Sequence, residues 1–322
     1  MKKIIIILTL TMLFLITSCM QNTQETQSDE LTILASTFPL YDFAREIAPN
    51  ENVQMIIPPG VDIHHYELKP SDVKKIDNAD LIIYLGEDTE PWLESILDVD
   101  GKHQNKTLNA IHEADNLIKA NHEHDDETDE YMNDEDYNDD HDDHDRDLEY
   151  DPHIWLNFEN SIQITNAIAS KLQTIKPENA QKYMQNANNY TKKLQDLHKK
   201  YEEELANCET RHFVVNHDAF RYLAKQYNLT QLPIRGLSAE QEPSPKAIEN
   251  ILQDAREYNV KHVFFEELAS PRVSEALAKE IGAKTLMITP AGNIPKKDFR
   301  EKTFIDMMRQ NLENLKEGLR CE

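Results

Sequence analysis

The sequence predicts an α/β protein of two lobes with parallel sheets and one very long helix, on three observations. Strand-like apolar runs alternate with helical ones, the pattern of βαβ units. The chain has 322 residues and exceeds a usual single domain even without an N-terminal leader. Apolar residues at Ala180, Tyr183, Met184, Ala187, Tyr190, Leu194, Leu197, Tyr201 and Leu205 recur at steps of three and four, which makes one stripe along one helix. Periodicity alone leaves open a coiled-coil partner for that stripe.

In chain order, the first alternation is a strand over Leu31–Ser36, a helix from about Leu40, a strand over Val53–Ile57, a helix over Ser71–Asn78, the strand Leu81-Ile82-Ile83-Tyr84 and a helix from Pro91. A helix from about Leu156 to Gln173 follows, and Pro177, a residue suited to a first helical turn, opens the long periodic stretch. The second alternation comprises a strand over His212–Val215, helices over Asp218–Tyr227 and Ser244–Tyr258, a strand over Lys261–Phe265, a helix over Arg272–Ile281, a strand over Lys284–Ile288 and a last helix near Arg300–Gly318.

The N-terminus reads as an export leader. Met1-Lys2-Lys3 precedes the apolar run Ile4–Ile16, long enough for a signal peptide and too short to span a bilayer. The run ends in Ile16-Thr17-Ser18-Cys19, a bacterial lipobox pattern, so residues 1–18 are expected to be removed and Cys19 to be lipidated. Acyl chains contribute about 0.8 kcal/mol per buried methylene, which anchors a chain to a cell membrane without a spanning helix. The polar residues up to 30 suit a flexible tether. Beyond Cys19 only Cys208 and Cys321 remain, and in an exported protein both a disulfide and two free thiols stay open.

The formal net charge of −25 is unevenly spread. Residues 121–150 carry sixteen Asp or Glu against the single Arg146, with His122, His124, His141 and His144 among them. Such a segment cannot offset its ordering entropy by burial, and its composition fits either a solvated loop or a multivalent metal-collecting one. It has no EF-hand pattern for calcium. No basic stripe or nucleic-acid motif occurs, which removes nucleic acid as a partner.

Three other histidines sit in distinctive phrases: His64 in Pro59-Gly60-Val61-Asp62-Ile63-His64-His65-Tyr66, His153 in Asp151-Pro152-His153-Ile154-Trp155-Leu156, and His217 in Val214-Val215-Asn216-His217-Asp218-Ala219-Phe220. Three imidazoles with one further position make a tetrahedral zinc site, and their wide spacing requires tertiary folding to assemble it. On the predicted layout each lies in a loop or at a strand end, where open α/β sheets bind ligands. Three imidazoles plus water is also the shell of a hydrolytic zinc, but no His-Glu-x-x-His or other zinc-enzyme motif occurs.

These phrases, in order, resemble the zinc-uptake type of metal-binding substrate-binding proteins of ABC importers, the cluster A-I family. The likeness begins at Ser36-Thr37-Phe38-Pro39-Leu40-Tyr41-Asp42-Phe43. It continues through Leu68-Lys69-Pro70-Ser71-Asp72, Glu90-Pro91-Trp92 and Gly236-Leu237-Ser238-Ala239-Glu240-Gln241-Glu242-Pro243-Ser244 to Phe264-Phe265-Glu266. It implies two Rossmann-like lobes, 31–176 with the acidic loop 121–150 and 208–322, joined by one long rigid helix within 177–207. It further implies His64, His153 and His217 as metal ligands, Zn2+ as bound cargo, no catalysis, and a monomer served by an ABC permease and its cytoplasmic ATPase. His65 falls where the family has a non-ligand, and with His122, His124, His141 and His144 it is an accessory candidate. A manganese or iron importer component, a metal-dependent surface adhesin and an extracellular zinc enzyme are the alternatives. The family often adds a carboxylate from an Asn-Pro-Leu-Glu-like turn, where this chain has Thr289-Pro290-Ala291-Gly292. Water, His65, Asp62 or another carboxylate then competes for the fourth position.

Overall fold

A computed structural model describes residues 30–64, 66–86, 89–97, 103–120, 148–237 and 243–322. The leader, Cys19, His65 and the four histidines of the acidic segment lie outside the described residues. The first sheet holds β1 (Thr32–Ala35), β2 (Asn52–Met55), β3 (Leu81–Tyr84) and β4 (Thr107–Asn109), all parallel in the order β2-β1-β3-β4. The second repeats that order as β6-β5-β7-β8, with β5 (His212–His217), β6 (Thr230–Arg235), β7 (His262–Glu266) and β8 (Lys284–Ile288), again all parallel. The predicted fold class is therefore the one observed. The strands β4 and β6 are additions to the sequence reading: both are sheet edges, one only 3 residues long and the other interrupted by Pro233, which an edge strand tolerates.

Around the first sheet run α1 (Phe38–Ile47), α2 (Pro70–Asn78), α3 (Pro91–Leu97) and α4 (Phe158–Ile175). The helix α4 starts where Asn157 accepts the Asn160 N–H, an N-cap one residue inside the predicted boundary. The second sheet carries α6 (Arg221–Gln226), α7 (Pro245–Glu257), α8 (Arg272–Ile281) and α9 (Phe304–Leu319). A Thr303–Asp306 capping box fixes the start of α9. Each sheet has its own apolar cluster, one around Leu34, Ile57, Ile82 and Leu93 and the other around Val214, Ile234, Val263 and Leu277.

Between them runs α5 (Ala180–Glu204), 25 residues long. Its stripe is buried as the periodicity requires, at Tyr183, Ala187, Tyr190, Leu194, Leu197 and Tyr201, while Met184 is exposed. It packs on α1 and α4 of the first lobe and on α9 of the second. Three tyrosine hydroxyls fasten it along its length. Tyr183 donates to Glu51 (2.5 Å), Tyr190 to Asp42 (3.2 Å) and Tyr201 to the Met308 carbonyl (2.5 Å). Each buried ring also contributes roughly 2–3 kcal/mol of apolar burial.

Asp42 joins the lobes directly. Its carboxylate on α1 accepts the Phe304 N–H at the start of α9 (3.0 Å) and bonds Arg45 (2.5 Å). Burial, only partly offset by Arg45, raises its pKa to about 6. Cys208 and Cys321, left open by the sequence, pair as a disulfide that closes 113 residues of chain. A loop of that length stabilises by roughly 4–5 kcal/mol in the chain-entropy account. No helix among the described residues is long and apolar enough to cross a membrane.

Candidate metal centre

The second sheet changes winding direction between β5 and β7, and the crevice at that switch point is where an open α/β sheet receives a ligand. The last residues of these two strands are His217 and Glu266, and they meet there: His217 Nδ1–H donates to Glu266 Oε1 at 2.5 Å. From the first lobe comes His153, at the entry to a 3-10 turn over Ile154–Leu156. Its Nδ1–H donates to Asp151 Oδ1 at 2.8 Å, and the same oxygen accepts the His153 backbone N–H at 2.9 Å. A carboxylate only accepts, so each pairing fixes the tautomer and turns Nε2 toward the centre.

His64 completes the group from the loop after β2. A turn from Pro58 to Val61 passes through Gly60 at φ 82°, a left-handed conformation in which glycine carries no Cβ penalty. Asp62 Oδ1 then accepts the His64 N–H at 2.8 Å, an Asx turn that sets the residue's direction. Ring centroids lie 5.4 Å apart for His64 and His153, 5.5 Å for His153 and His217, and 6.0 Å for His64 and His217. One ligand nitrogen from each falls within 4.8 Å of the others. Tetrahedral zinc sets imidazole nitrogens about 3.4 Å apart, so small side-chain rotations suffice to close the triad on an ion.

The electrostatics favour a cation. His153 is 1% and His217 3% exposed, and among the described residues neither Nε2 has a hydrogen-bond partner. Two buried nitrogen lone pairs left unmatched in one pocket cost free energy unless an ion or proton takes them. Burial works against a charged His217, yet the neighbouring Glu266 and the more distant Asp62 and Asp218 outweigh it and raise the pKa. The surrounding cavity, about 50 Å³, is lined by Asp62, the triad, Glu266 and Thr289 among others.

All three predicted ligands thus converge. His198, on the long helix, is half-buried: its Nδ1 pairs with the Tyr227 hydroxyl at 2.8 Å and its ring packs near Phe158, outside the triad. Asp151 and Glu266 carry functions that the sequence alone does not assign. Their signal was a carboxylate two residues before one histidine and at the end of the strand next to the other. The turn Thr289–Gly292 brings no carboxylate. A Cβ on Gly292 would stand 2.9 Å from Ile63 Cδ1 and 3.2 Å from Trp155 Cζ2, so the backbone has packed into the space a side chain would need.

The model of the zinc-uptake complex component A periplasmic family matches residues 33–318. The chain belongs to this family. The high-affinity zinc uptake system protein ZnuA of Bacillus subtilis is 32% identical over 304 residues, covering 94% of this chain and 92% of that protein. The zinc-binding lipoprotein AdcA of Streptococcus pneumoniae is 32% identical over 320 residues, 98% of this chain but 61% of AdcA's own length. A solved structure of the laminin-binding protein Lmb of Streptococcus agalactiae, described as a bifunctional protein with adhesin and metal transporting activity, superposes with a TM-score of 0.75 at 29% identity. That alignment covers 90% of this chain and 99% of Lmb. The protein is accordingly a metal-binding solute-binding component of an ABC importer, extracytoplasmic by family, and not an enzyme.

Proposed function

We propose that the cargo is Zn2+, held by His64, His153 and His217, and that the protein captures it outside the cytoplasm and delivers it to a membrane permease driven by a cytoplasmic ATPase. The observation that carries this reading is the pair of buried Nε2 atoms whose opposite ring nitrogens are fixed by Asp151 and Glu266. Imidazole-only sets suit zinc, whereas manganese prefers carboxylate oxygen. The zinc named in the relatives supports the same choice.

The fourth position falls to water or to Asp62, which lines the cavity beside His217. Lipidated Cys19 anchors the chain after removal of residues 1–18, and residues 19–30 act as the tether. The protein works as a monomer, with lobes 31–176 and 208–322 joined by the helix within 177–207. The acidic segment 121–150, through His122, His124, His141 and His144, with His65 as a further accessory ligand, collects zinc weakly.

Metal analysis of the exported protein, followed by isothermal titration with zinc and manganese, tests the reading. One tight zinc per chain after removal of the acidic loop is the expected result. Tighter manganese than zinc, or no tight phase at all, defeats it.

A further inference from the structure

The turn carrying His64 is held by the opposite lobe. Asn293, 5% exposed and just beyond the Thr289–Gly292 turn, donates its Nδ2 hydrogens to the Pro58 carbonyl (2.9 Å) and the Val61 carbonyl (2.6 Å). Its Oδ1 accepts the Ile294 N–H at 2.7 Å, so the whole amide is committed. Those two carbonyls bracket the Gly60 turn, and the next polar contact along the chain is the Asp62 bond that sets His64.

The turn that presents Asn293 is itself constrained. Ala291 sits at φ 57°, a left-handed conformation that costs a non-glycine residue free energy and persists only where its surroundings enforce it. Here they do: Trp155 Nε1 donates to the Pro290 carbonyl (2.6 Å), Phe38 N–H to the Gly292 carbonyl (3.1 Å), and Ile63 closes over Gly292. The first lobe thus seats the 290–293 turn, and through Asn293 that turn seats the His64 loop.

We propose that Asn293 is an interlobe latch that positions His64 and sets the rate at which the bound metal leaves. Opening the lobes by even a fraction of a hydrogen-bond length separates Nδ2 from both carbonyls, and the His64 loop loses its register before His153 or His217 is disturbed, since their carboxylate partners lie within their own lobes. The site then changes from three imidazoles to two, which is a release state. This rests on the reading of His64 as a ligand. It adds a step that the triad alone does not contain.

The test uses Asn293→Ala and Asn293→Asp in the full chain. The aspartate keeps the shape and the acceptor for Ile294 but cannot donate to the carbonyls. Loss of two net hydrogen bonds predicts zinc dissociation, followed by stopped flow into excess chelator, about ten-fold faster or more, with association changed less than about two-fold. In metal-free protein, hydrogen exchange at residues 58–64 should quicken in both variants while the sheets keep wild-type protection. Dissociation at the wild-type rate, an equal loss in association, or faster exchange throughout the fold would each overturn the latch. The metal-free exchange measurement decides the contact even if zinc proves not to use His64, and wild-type titration separately decides that.

Discussion

Glu266→Gln is the sharpest perturbation of the site, because it leaves the geometry and removes a charge. The glutamine carbonyl still accepts His217 Nδ1–H across the 2.5 Å contact, so the tautomer and ring direction survive. What is lost is the anionic partner of an imidazole coordinated to a dication. Partners of this kind change metal affinity by roughly ten- to a hundred-fold, about 1.4–2.8 kcal/mol. The same charge, with help from Asp62 and Asp218, raises the His217 pKa against its burial, so removing it brings that pKa down toward the ordinary value near 6.5. Proton competition is therefore weaker in the variant. At pH well above the raised pKa the wild type should hold zinc about ten- to a hundred-fold more tightly. As pH falls through that pKa, the wild type loses affinity first and the gap narrows. Competition with a fluorescent zinc chelator from about pH 5.5 to about pH 8 reads both effects. Equal affinity at neutral pH, or a ratio that stays flat with pH, would refute the role assigned to Glu266.

Three further outcomes are expected. His64→Ala, His153→Ala and His217→Ala should each abolish the tight zinc phase in isothermal titration, while His198→Ala should keep it and lower thermal stability through the lost Tyr227 bond. Deleting residues 121–150 should remove weak, multiple binding and leave the tight phase; loss of the tight phase would move ligands into that segment. Glu90 is buried, which raises its pKa to about 7, and it accepts the Leu85 N–H at 2.6 Å. A carboxyl whose folded pKa lies above its unfolded value stabilises the fold when protonated, fully below about pH 4.5, and loses this as pH rises through about 7. Glu90→Gln should therefore flatten the pH dependence of urea unfolding between those limits, by on the order of 3 kcal/mol; an unchanged profile would contradict it.

Much of this was legible in the sequence because it is periodic or local. The stripe from Ala180 to Leu205 marks the helix that joins the lobes; Ala180 at its start is half-buried and Met184 is exposed, because a nine-member stripe is wider than the face that α1, α4 and α9 cover. The three histidine phrases marked the site because each sits in a loop or at a strand end. What escaped was non-local. The edge strands β4 and β6 are too short or too broken to show a period, and their existence depends on β3 and β5 lying alongside. Asp151 gains its role only when its oxygen is seen on His153. Asn293 is an ordinary loop asparagine until Pro58 and Val61, more than two hundred residues away in the chain, come within reach.

The two sheets share one strand order but not one use of it. In the second lobe the switch point between β5 and β7 is open and carries His217 and Glu266; in the first, the equivalent place between β1 and β3 is filled by Glu90, bonded to Leu85 just past β3 and buried. Among the described residues, the first lobe places none of the triad at its own crevice, and its His64 and His153 come from loops that reach the other one. A centre built this way exists only while the lobes hold their spacing. The Tyr183, Tyr190 and Tyr201 anchors, with Asp42 bridging α1 to α9, fix that spacing on the side of the long helix. A large hinge closure would have to break several of these at once, whereas displacing the His64 loop breaks the pair made by Asn293. The lower-cost path is the local one, so small-angle scattering should give nearly the same radius of gyration with and without zinc, and a marked compaction on adding metal would show that the helix yields before the loop.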